Sequence, residues 1–314
     1  MNSACSPRSM SLGHLAAFLW VFLAATGVAA ASPASMTLPD HPPMRVLIVS
    51  DEVNPHGLPP DQLTQPGEIG PALANSGVLN VSAMPESVLE LPTNAIAEAT
   101  IRLQRNRQDP TAYDVLIYFA HRIPDGPDGA LAQEAFVAAV REFLRQGGGV
   151  VVFHHGIYRL PGKESMQTLI GGEATGAVPW NTVEGQAVIN VAPGHFVTTH
   201  GISYAGTVQY ADPASGIPLS TWSAFTNVPD ERYPDLVLFP GPGRREILFA
   251  SNYSLGDGTH VLGYTRREPD WAGTLVFYQP GEHQPQALGP GNNLQVLLNA
   301  VLFARDSLFA GTFE

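Results

Sequence analysis

The sequence predicts an α/β fold, with a central, mostly parallel sheet between two helical layers and a strand- and loop-rich C-terminal part. Short apolar runs alternate with helical segments over residues 45–153, which is the order of a parallel sheet. The run 150–153 is apolar throughout, as in strands buried on both faces. After Leu160 the pattern changes to short strands separated by turns.

The amino-terminal half is predicted to contain strands that alternate with helices. Residues 131–146 show an apolar stripe at helical spacing, and Gly147-Gly148-Gly149 then ends that helix. Pro92 breaks a weaker helical region. The predicted strands are 45–50, 78–82, 113–120 and 150–153, and the predicted helices are 69–75, 86–103 and 131–146.

The carboxyl-terminal part is predicted to be mostly strands. Gly256-Asp257-Gly258 marks a hairpin turn, and residues 292–304 form a closing helix with leucines and valines on one side. The predicted strands are 187–191, 236–239, 247–250, 260–264 and 274–278.

The first 31 residues are predicted to be a cleavable signal peptide. Arg8 precedes an apolar region at 12–25, and Ala29-Ala30-Ala31 offers small residues for cleavage before Ser32. The alternative is an uncleaved anchor helix, for which the apolar stretch is short. We therefore expect a flexible lead-in at 32–44, one domain at 45–304 and a tail at 305–314, in a protein that is periplasmic or secreted.

Composition restricts the possible partners and chemistry. The net charge of −12 argues against nucleic acid as a partner, and no later segment is long and apolar enough to span a membrane. Cys5, the single cysteine, lies before the apolar region, so the mature chain has no thiol nucleophile or thiolate ligand. Gly-x-Ser-x-Gly, a Walker loop and Gly-x-Gly-x-x-Gly after the first strand are all absent from the sequence. The oligomeric state stays open.

Histidines follow several of the predicted strands. The carboxyl ends of parallel strands meet at one edge of the sheet, where open α/β sheets bind their ligands. Asp51, Glu52 and Glu282 are expected at the same edge. Any one of these histidines could be an ordinary loop residue, but together they predict a site. They are His56, His121, His154, His155 and His283.

The chemistry predicted for this site is proton transfer by imidazole. We expect His154 or His155 to act as general acid or base, with His283 as the third catalytic candidate. His56, His121 and Glu282 are candidates for substrate binding. A divalent metal is a possible cofactor, with His56, His155 and His283 as candidate ligands. Neighbours on a strand point apart, so we expect one metal not to take both His154 and His155.

Aromatic residues outside the predicted core strands are candidates for stacking on sugar rings, with packing within loops as the alternative. These residues are Tyr158, Trp180, Tyr210, Trp222 and Trp271.

Several segments resemble the trehalose-utilisation (ThuA-like) family of the class I glutamine amidotransferase-like superfamily. The glycine-rich strand that ends in His154-His155 is the most distinctive of them. His195 stands where the family has His-Pro, which adds His195 to the substrate-binding candidates. The remaining matching segments are 45–50 with His56 behind it, 113–117, Tyr264-Thr265-Arg266, 273–278 and Gly281-Glu282-His283. The resemblance implies a flavodoxin-like three-layer fold and a role in breaking down trehalose or a related keto-disaccharide.

The sequence departs from the family pattern at several points. Phe196 replaces the usual proline, Glu282 is inserted into the terminal Gly-His, and Tyr210-Ala211-Asp212-Pro213 stands in for an Asp-Glu-Leu-Tyr segment. The elbow, which is the turn at His154-His155 after the strand 150–153, also lacks the cysteine that amidotransferases carry there, which excludes glutamine hydrolysis through a thioester. The sequence thus predicts a protein that acts on a small carbohydrate by histidine acid/base chemistry. A non-catalytic carbohydrate-binding protein and a metal-dependent hydrolase are the alternatives.

Overall fold

The computed structural model describes residues 44–51, 73, 87–177, 185–227, 230–252, 261–281 and 291–305, all within one compact unit, Met36–Glu314. Its strands are β1 (Val46–Ser50), β2 (Val88–Pro92), β3 (Val115–Tyr118), β4 (Gly149–Phe153), β5 (Gly172–Glu173), β6 (Gln186–Asn190), β7 (Gly206–Asp212), β8 (Ile217–Asn227), β9 (Val237–Leu238), β10 (Arg244–Ala250), β11 (Val261–Arg267) and β12 (Leu275–Tyr278). The α-helices are α1 (Ile96–Leu103), α2 (Gly129–Arg145), α3 (Glu164–Ile170), α4 (Phe196–Thr199) and α5 (Asn292–Arg305).

Ten of the described strands form one mixed sheet in the order β2-β1-β3-β4-β12-β11-β10-β6-β8-β7. The pairs from β2 to β12 are all parallel, so the carboxyl ends of β1, β3, β4 and β12 lie at one edge. From β12 to β7 every pair is antiparallel. β5 and β9 form a separate two-stranded sheet. The predicted parallel sheet with a strand-rich C-terminal part is confirmed.

Both faces of the parallel half are buried. Side chains alternate along a strand, so Val151 and Phe153 of β4 pack in a cluster with α5, whereas Val150 and Val152 pack with α1, α2 and α3. An unbroken apolar strand therefore needs a helical layer on each side, which gives the predicted three-layer α/β/α arrangement.

The sequence predicted a weak helix over 86–103, whereas the structure has a strand, β2, followed by the helix α1. β2 pairs in parallel with β1 at the edge of the sheet, and a 3₁₀ turn, Thr93–Ala95, leads into α1. Pro92 ends this strand, and an edge strand tolerates a residue that lacks the backbone N–H. The predicted helix at 69–75 and strand at 78–82 lie outside the described residues, except for Leu73, which is helical and buried.

The sequence interpretation also missed α3 and the β7–β8 hairpin. β8 presents polar and exposed residues over most of its length, so it lacks the apolar alternation on which strand prediction depends. None of the described helices is long and apolar enough to cross a membrane.

The three glycines Gly147, Gly148 and Gly149, at the start of β4, set how closely the neighbouring elements approach. Gly147 has a φ of 90°, and its N–H bonds to the carbonyl of Leu144 as α2 ends. A Cβ on Gly149 would lie 2.5 Å from the backbone carbonyl of Ala304 in α5. The absence of a side chain at Gly149 therefore lets α5 lie directly against the start of β4.

We expect Gly149→Ala to lower the free energy of unfolding by about 1–3 kcal/mol, because the added methyl group meets backbone that cannot move aside easily. The matched control is Gly194→Ala, where a Cβ would meet nothing within 4 Å. Urea unfolding of both variants measures the difference. Equal stability of the two would contradict the close approach of α5.

Candidate functional site

The chain turns abruptly where β4 ends. His154 follows Phe153 directly and opens a 3₁₀ turn, His154–Ile157. It has a φ of 40°, the left-handed region, and it alone among the described residues other than glycine has a positive φ. Such a conformation costs roughly 1–3 kcal/mol and is common at functional sites. His154 is also completely buried.

The ring of His154 is fixed by the strand beside β4. Its Nδ1 lies 2.6 Å from the backbone carbonyl oxygen of Gln279, just after β12. A carbonyl oxygen only accepts hydrogen bonds, so Nδ1 carries the proton. The other nitrogen, Nε2, then lies 3.3 Å from Oε2 of Glu231. The elbow thus aims the second ring nitrogen of His154 at a buried carboxylate.

Glu231, which the sequence interpretation missed, comes from the segment between β8 and β9. Gln279 donates through Nε2 to the carbonyl of Glu231 at 3.1 Å. The carboxylate of Asp230 accepts from the backbone N–H of Gly281 at 2.7 Å and from that of Glu231 at 3.1 Å. These bonds tie the segment to the chain that follows β12.

A sequence signal for Glu231 existed. Asp230-Glu231-Arg232-Tyr233 has the Asp-Glu-x-Tyr spacing expected of the ThuA-like family. The sequence interpretation had Tyr210-Ala211-Asp212-Pro213 in place of that segment, and these residues end β7 and begin the turn to β8 at the far edge of the sheet.

His155 completes a cluster with His154 and Glu231. Its Nε2 lies 4.0 Å from Oε2 of Glu231, and its ring stacks on Phe119 at 5.0 Å between centroids. One ligand atom from each of the three residues lies within 4.8 Å of the others. The expectation that the two histidines point apart was wrong, because both belong to the 3₁₀ turn and not to the strand.

Aromatic rings from three parts of the chain lie beside this cluster. His121, just beyond β3, lies 5.1 Å from the ring of His155 and 5.1 Å from that of Tyr158. Tyr233 lies 5.1 Å from His154. Burial raises the pKa of Tyr158, and the negative charges of Glu231 and Asp235 raise it further, so its hydroxyl stays protonated.

Two buried charges hold the loops beneath the cluster. The carboxylate of Asp51 accepts from the backbone N–H groups of His121 and Arg122 at 2.7 and 3.1 Å. Lys163, the one lysine in the sequence, donates through Nζ to the carbonyls of Ala120, His121 and His155 at 3.0, 3.3 and 3.1 Å. This ammonium therefore connects the end of β3 to the histidine elbow.

Burial disfavours the charged form of Lys163, and its hydrogen bonds favour it. Burial lowers its pKa to about 7, against the opposing effect of Asp51. Three carbonyl acceptors match the three N–H donors of an ammonium group, so the hydrogen bonds favour the charged form.

Of the site residues predicted from the sequence, the structure brings His121, His154 and His155 together. His195 lies elsewhere, at the opposite edge of the sheet, because β6 runs antiparallel to β10. There Nδ1 of His195 accepts from the N–H of Val197 at the start of α4. The candidates Glu52, His56, Glu282 and His283 lie outside the described residues.

Two of the proposed sugar-stacking aromatics are not available for that role. Trp271 is 5% exposed and Tyr210 is 7% exposed, so both pack inside the protein. Trp222 is partly buried and donates through Nε1 to the carbonyl of Tyr210. Trp180 lies outside the described residues, and Tyr158 lies beside the histidine cluster.

The cluster fits a divalent metal ion. Two imidazoles and one carboxylate are a donor set of catalytic zinc sites. Metal-bound histidines usually donate their second N–H to a carbonyl or carboxylate, as Nδ1 of His154 does to Gln279. The ligand candidates predicted from the sequence shared only His155 with this set.

No protein-family model matches the sequence, and no curated protein matches it either. Among solved structures, a protein named as ThuA-like from Bacteroides uniformis has 16% identity and a TM-score of 0.50, covering 87% of this chain and 95% of that one. Another named as ThuA-like, from Parabacteroides merdae, has 14% identity and a TM-score of 0.49, covering 84% and 90%. The likeness to the Bacteroides uniformis structure shows that the chain shares the fold of that ThuA-like protein.

We expect Lys163→Met to lower the free energy of unfolding by about 2–4 kcal/mol, because three buried carbonyls lose a charged donor. The relief of burying a charge offsets part of this cost. Urea unfolding measures the change, and the exposed Arg141→Met serves as the control. Unchanged or increased stability in Lys163→Met would show that the ammonium does not hold the two loops together.

His195 gives a prediction about pH. Burial lowers its pKa to about 4 from an ordinary 6.5, so between these values the unfolded chain binds a proton that the folded chain excludes. Stability therefore falls as the pH drops below 6.5. His195→Asn keeps an oxygen acceptor for Val197 and removes this titration.

When the pH is lowered from 7 to 5, we expect the free energy of unfolding of the natural chain to fall by about 2 kcal/mol more than that of His195→Asn. Urea titrations at the two pH values measure this. An identical pH dependence of the two proteins would contradict a buried, neutral His195.

Proposed function

We propose that this chain is a metal-dependent enzyme in which His154, His155 and Glu231 bind one divalent ion beside a site for a small carbohydrate derivative. The observation that carries the proposal is the orientation of His154. Its Nδ1–H is used by the carbonyl of Gln279, and Nε2 is left facing the Glu231 carboxylate at 3.3 Å.

If His154 is neutral, its contact with Glu231 favours a cation between the two side chains. Its Nε2 then presents a lone pair to the carboxylate of Glu231, and two buried acceptors that face each other at 3.3 Å repel. His155 Nε2 approaches the same oxygen at 4.0 Å. His154, His155 and Glu231 would hold a divalent ion here, and the ion would remove this repulsion. A zinc ion in such a set would supply Lewis-acid polarisation of a substrate oxygen.

A metal-free enzyme is the second candidate, and the same distance supports it. If Nε2 of His154 carries a second proton, imidazolium and Glu231 form a buried ion pair at 3.3 Å. His154 or His155 then moves protons as general acid or base, as the sequence predicts. The two candidates differ in whether the purified protein contains a metal.

The choice of a carbohydrate derivative rests on the resemblance to the ThuA-like family and on the groups around the cluster. His121 lies next to His155, and Tyr158 lies next to His121, which gives the site imidazole and hydroxyl groups suited to sugar hydroxyls. The predicted signal peptide supports action in the periplasm or outside the cell. The substrate class proposed is therefore a small disaccharide or its keto derivative.

The metal is tested by elemental analysis and zinc calorimetry of the full chain. We expect about one equivalent of divalent metal per chain, and Glu231→Gln to weaken zinc binding by more than about 100-fold, because it removes the charged ligand. The control is Glu134→Gln, the same substitution at an exposed position of α2. Equal zinc affinity in the two variants, or a chain that binds none, would overturn the metal site.

Turnover of a panel of disaccharides and keto-disaccharides tests the enzyme. We expect His155→Ala and a chelator each to abolish turnover while the fold, followed by circular dichroism, persists. Turnover that tracks His154 and His155 but ignores the chelator would select the metal-free enzyme. Calorimetric sugar binding with no turnover would make the chain a binding protein.

A further inference from the structure

A chain of buried hydrogen bonds runs from the closing helix α5 to the segment that carries Glu231. Tyr278, at the end of β12, donates its hydroxyl to Oδ1 of Asn293 in α5 at 2.7 Å. Nδ2 of Asn293 donates to Oδ1 of Asn227, the last residue of β8, at 2.7 Å. Nδ2 of Asn227 donates to Oδ2 of Asp230 at 3.0 Å. We call the side chains of Tyr278, Asn293, Asn227 and Asp230 the amide network.

All four members of the amide network are buried. The exposed fraction is 1% for Tyr278 and Asp230, 2% for Asn227 and 5% for Asn293. Each amide nitrogen and each amide oxygen in the network has a partner. A hydrogen bond left unmade inside a protein costs more than one at the surface, so the network favours a single arrangement of its members.

The carboxylate of Asp230 sets the direction of the network. An ionised carboxylate only accepts hydrogen bonds, so Asn227 presents its Nδ2 to it and not its Oδ1. Oδ1 of Asn227 is then the acceptor for Asn293, and Tyr278 has to donate. Burial above all, and also the neighbours Tyr204 and Asp230, hold the pKa of Tyr278 well above its ordinary value of 10. The hydroxyl of Tyr278 therefore carries the proton that this direction requires.

The network ends on the main chain around Glu231. Besides Asn227, the Asp230 carboxylate accepts from the N–H of Gly281 at 2.7 Å and from that of Glu231 at 3.1 Å. Gln279 holds the other side of the same residue, since its Nε2 donates to the carbonyl of Glu231 at 3.1 Å. The peptide groups on both sides of Glu231 are therefore fixed, which limits where its carboxylate can lie.

The same short segment after β12 also fixes His154. Nδ1 of His154 donates to the carbonyl of Gln279 at 2.6 Å. Gln279 and Gly281 thus anchor both sides of the 3.3 Å contact between Nε2 of His154 and Oε2 of Glu231. A metal ion requires ligand atoms at fixed distances, so the groups that hold its ligands in place contribute to its affinity.

We propose that Asn227 is a positioning residue for Glu231. Acting through Asp230, it holds the carboxylate of Glu231 opposite His154, at the distance that a divalent ion requires. The rest of the amide network keeps Asn227 in the orientation that this needs. This inference rests on the proposed metal site, and it concerns residues outside the set of metal ligands.

Zinc calorimetry of the full chain tests this proposal with Asn227→Ala. We expect the variant to bind zinc about 10-fold more weakly, because groups that hold metal ligands in place contribute strongly to affinity. Tyr278→Phe removes one hydroxyl group from the other end of the network, and we expect about 3-fold weaker binding from it. This milder variant keeps the test available if Asn227→Ala does not fold.

Asn299→Ala is the matched control. Asn299 is also a buried asparagine, and its Nδ2 donates to the carbonyls of Val197 and His200 at 3.3 and 2.7 Å. It lies in α5 but outside the amide network. We expect Asn299→Ala to lower the urea midpoint of unfolding, as Asn227→Ala does, and to leave the zinc affinity unchanged. A difference in zinc affinity between these variants therefore reports the position of Glu231 and not the stability of the fold.

Hydrogen exchange in the metal-free chain gives a second measurement. The amide hydrogens of Glu231 and Gly281 are donated to Asp230. We expect them to exchange about 10-fold faster in Asn227→Ala, because the carboxylate that accepts them is no longer held, and at the natural rate in Asn299→Ala.

The two measurements separate this proposal from the metal site on which it rests. Equal zinc affinity in Asn227→Ala and Asn299→Ala would overturn the positioning role, as would unchanged exchange at Glu231. A natural chain that binds no zinc would overturn the proposed metal site instead. The exchange rates then decide by themselves whether Asn227 holds Glu231 in place. Faster exchange in Asn227→Ala alone supports positioning, and equal exchange in the two variants overturns it.

Discussion

The hydrogen bond from His154 Nδ1 to the carbonyl of Gln279 determines the chemistry available at the elbow. It joins the chain after β4 to the chain after β12, and it leaves Nε2 to face Glu231. The left-handed backbone of His154 is part of the same constraint, because a relaxed residue there would turn the ring elsewhere. A buried acceptor beside a buried carboxylate is stable only with a proton or a metal ion between them.

Each half of the sheet contributes to this arrangement. The parallel half brings the ends of β3 and β4 to one edge, which places His121 beside His155. The antiparallel half returns the chain to the same edge with Glu231, and Asp230 secures that segment to Gly281. Beneath them Lys163 replaces the water that the loop carbonyls would otherwise need. The site therefore depends on contacts between residues far apart in the sequence.

Local pattern was enough to predict the parallel half of the fold and part of the site. β4 is apolar throughout and its end is marked by glycine, so the sequence alone placed His154 and His155 at the edge of the sheet. Glu231 was missed because a single carboxylate in a loop has no periodicity, and only the return of the chain past β12 places it near the elbow. His195 was grouped with the site on the resemblance to the family, and the sequence does not show that β6 runs antiparallel to β10, which carries His195 to the opposite edge. The helix assigned over 86–103 failed at β2, where pairing with β1 outweighs local helical preference.

The central claim is that His154, His155 and Glu231 hold one divalent ion, and anomalous diffraction from zinc-soaked crystals tests it most directly. The account predicts one strong anomalous peak about 2.0–2.2 Å from Nε2 of His154, from a carboxylate oxygen of Glu231 and from a ring nitrogen of His155. Nδ1 of His154 should still donate to Gln279. A crystal with no peak at the elbow, in which Nε2 of His154 hydrogen-bonds directly to Glu231, would contradict it.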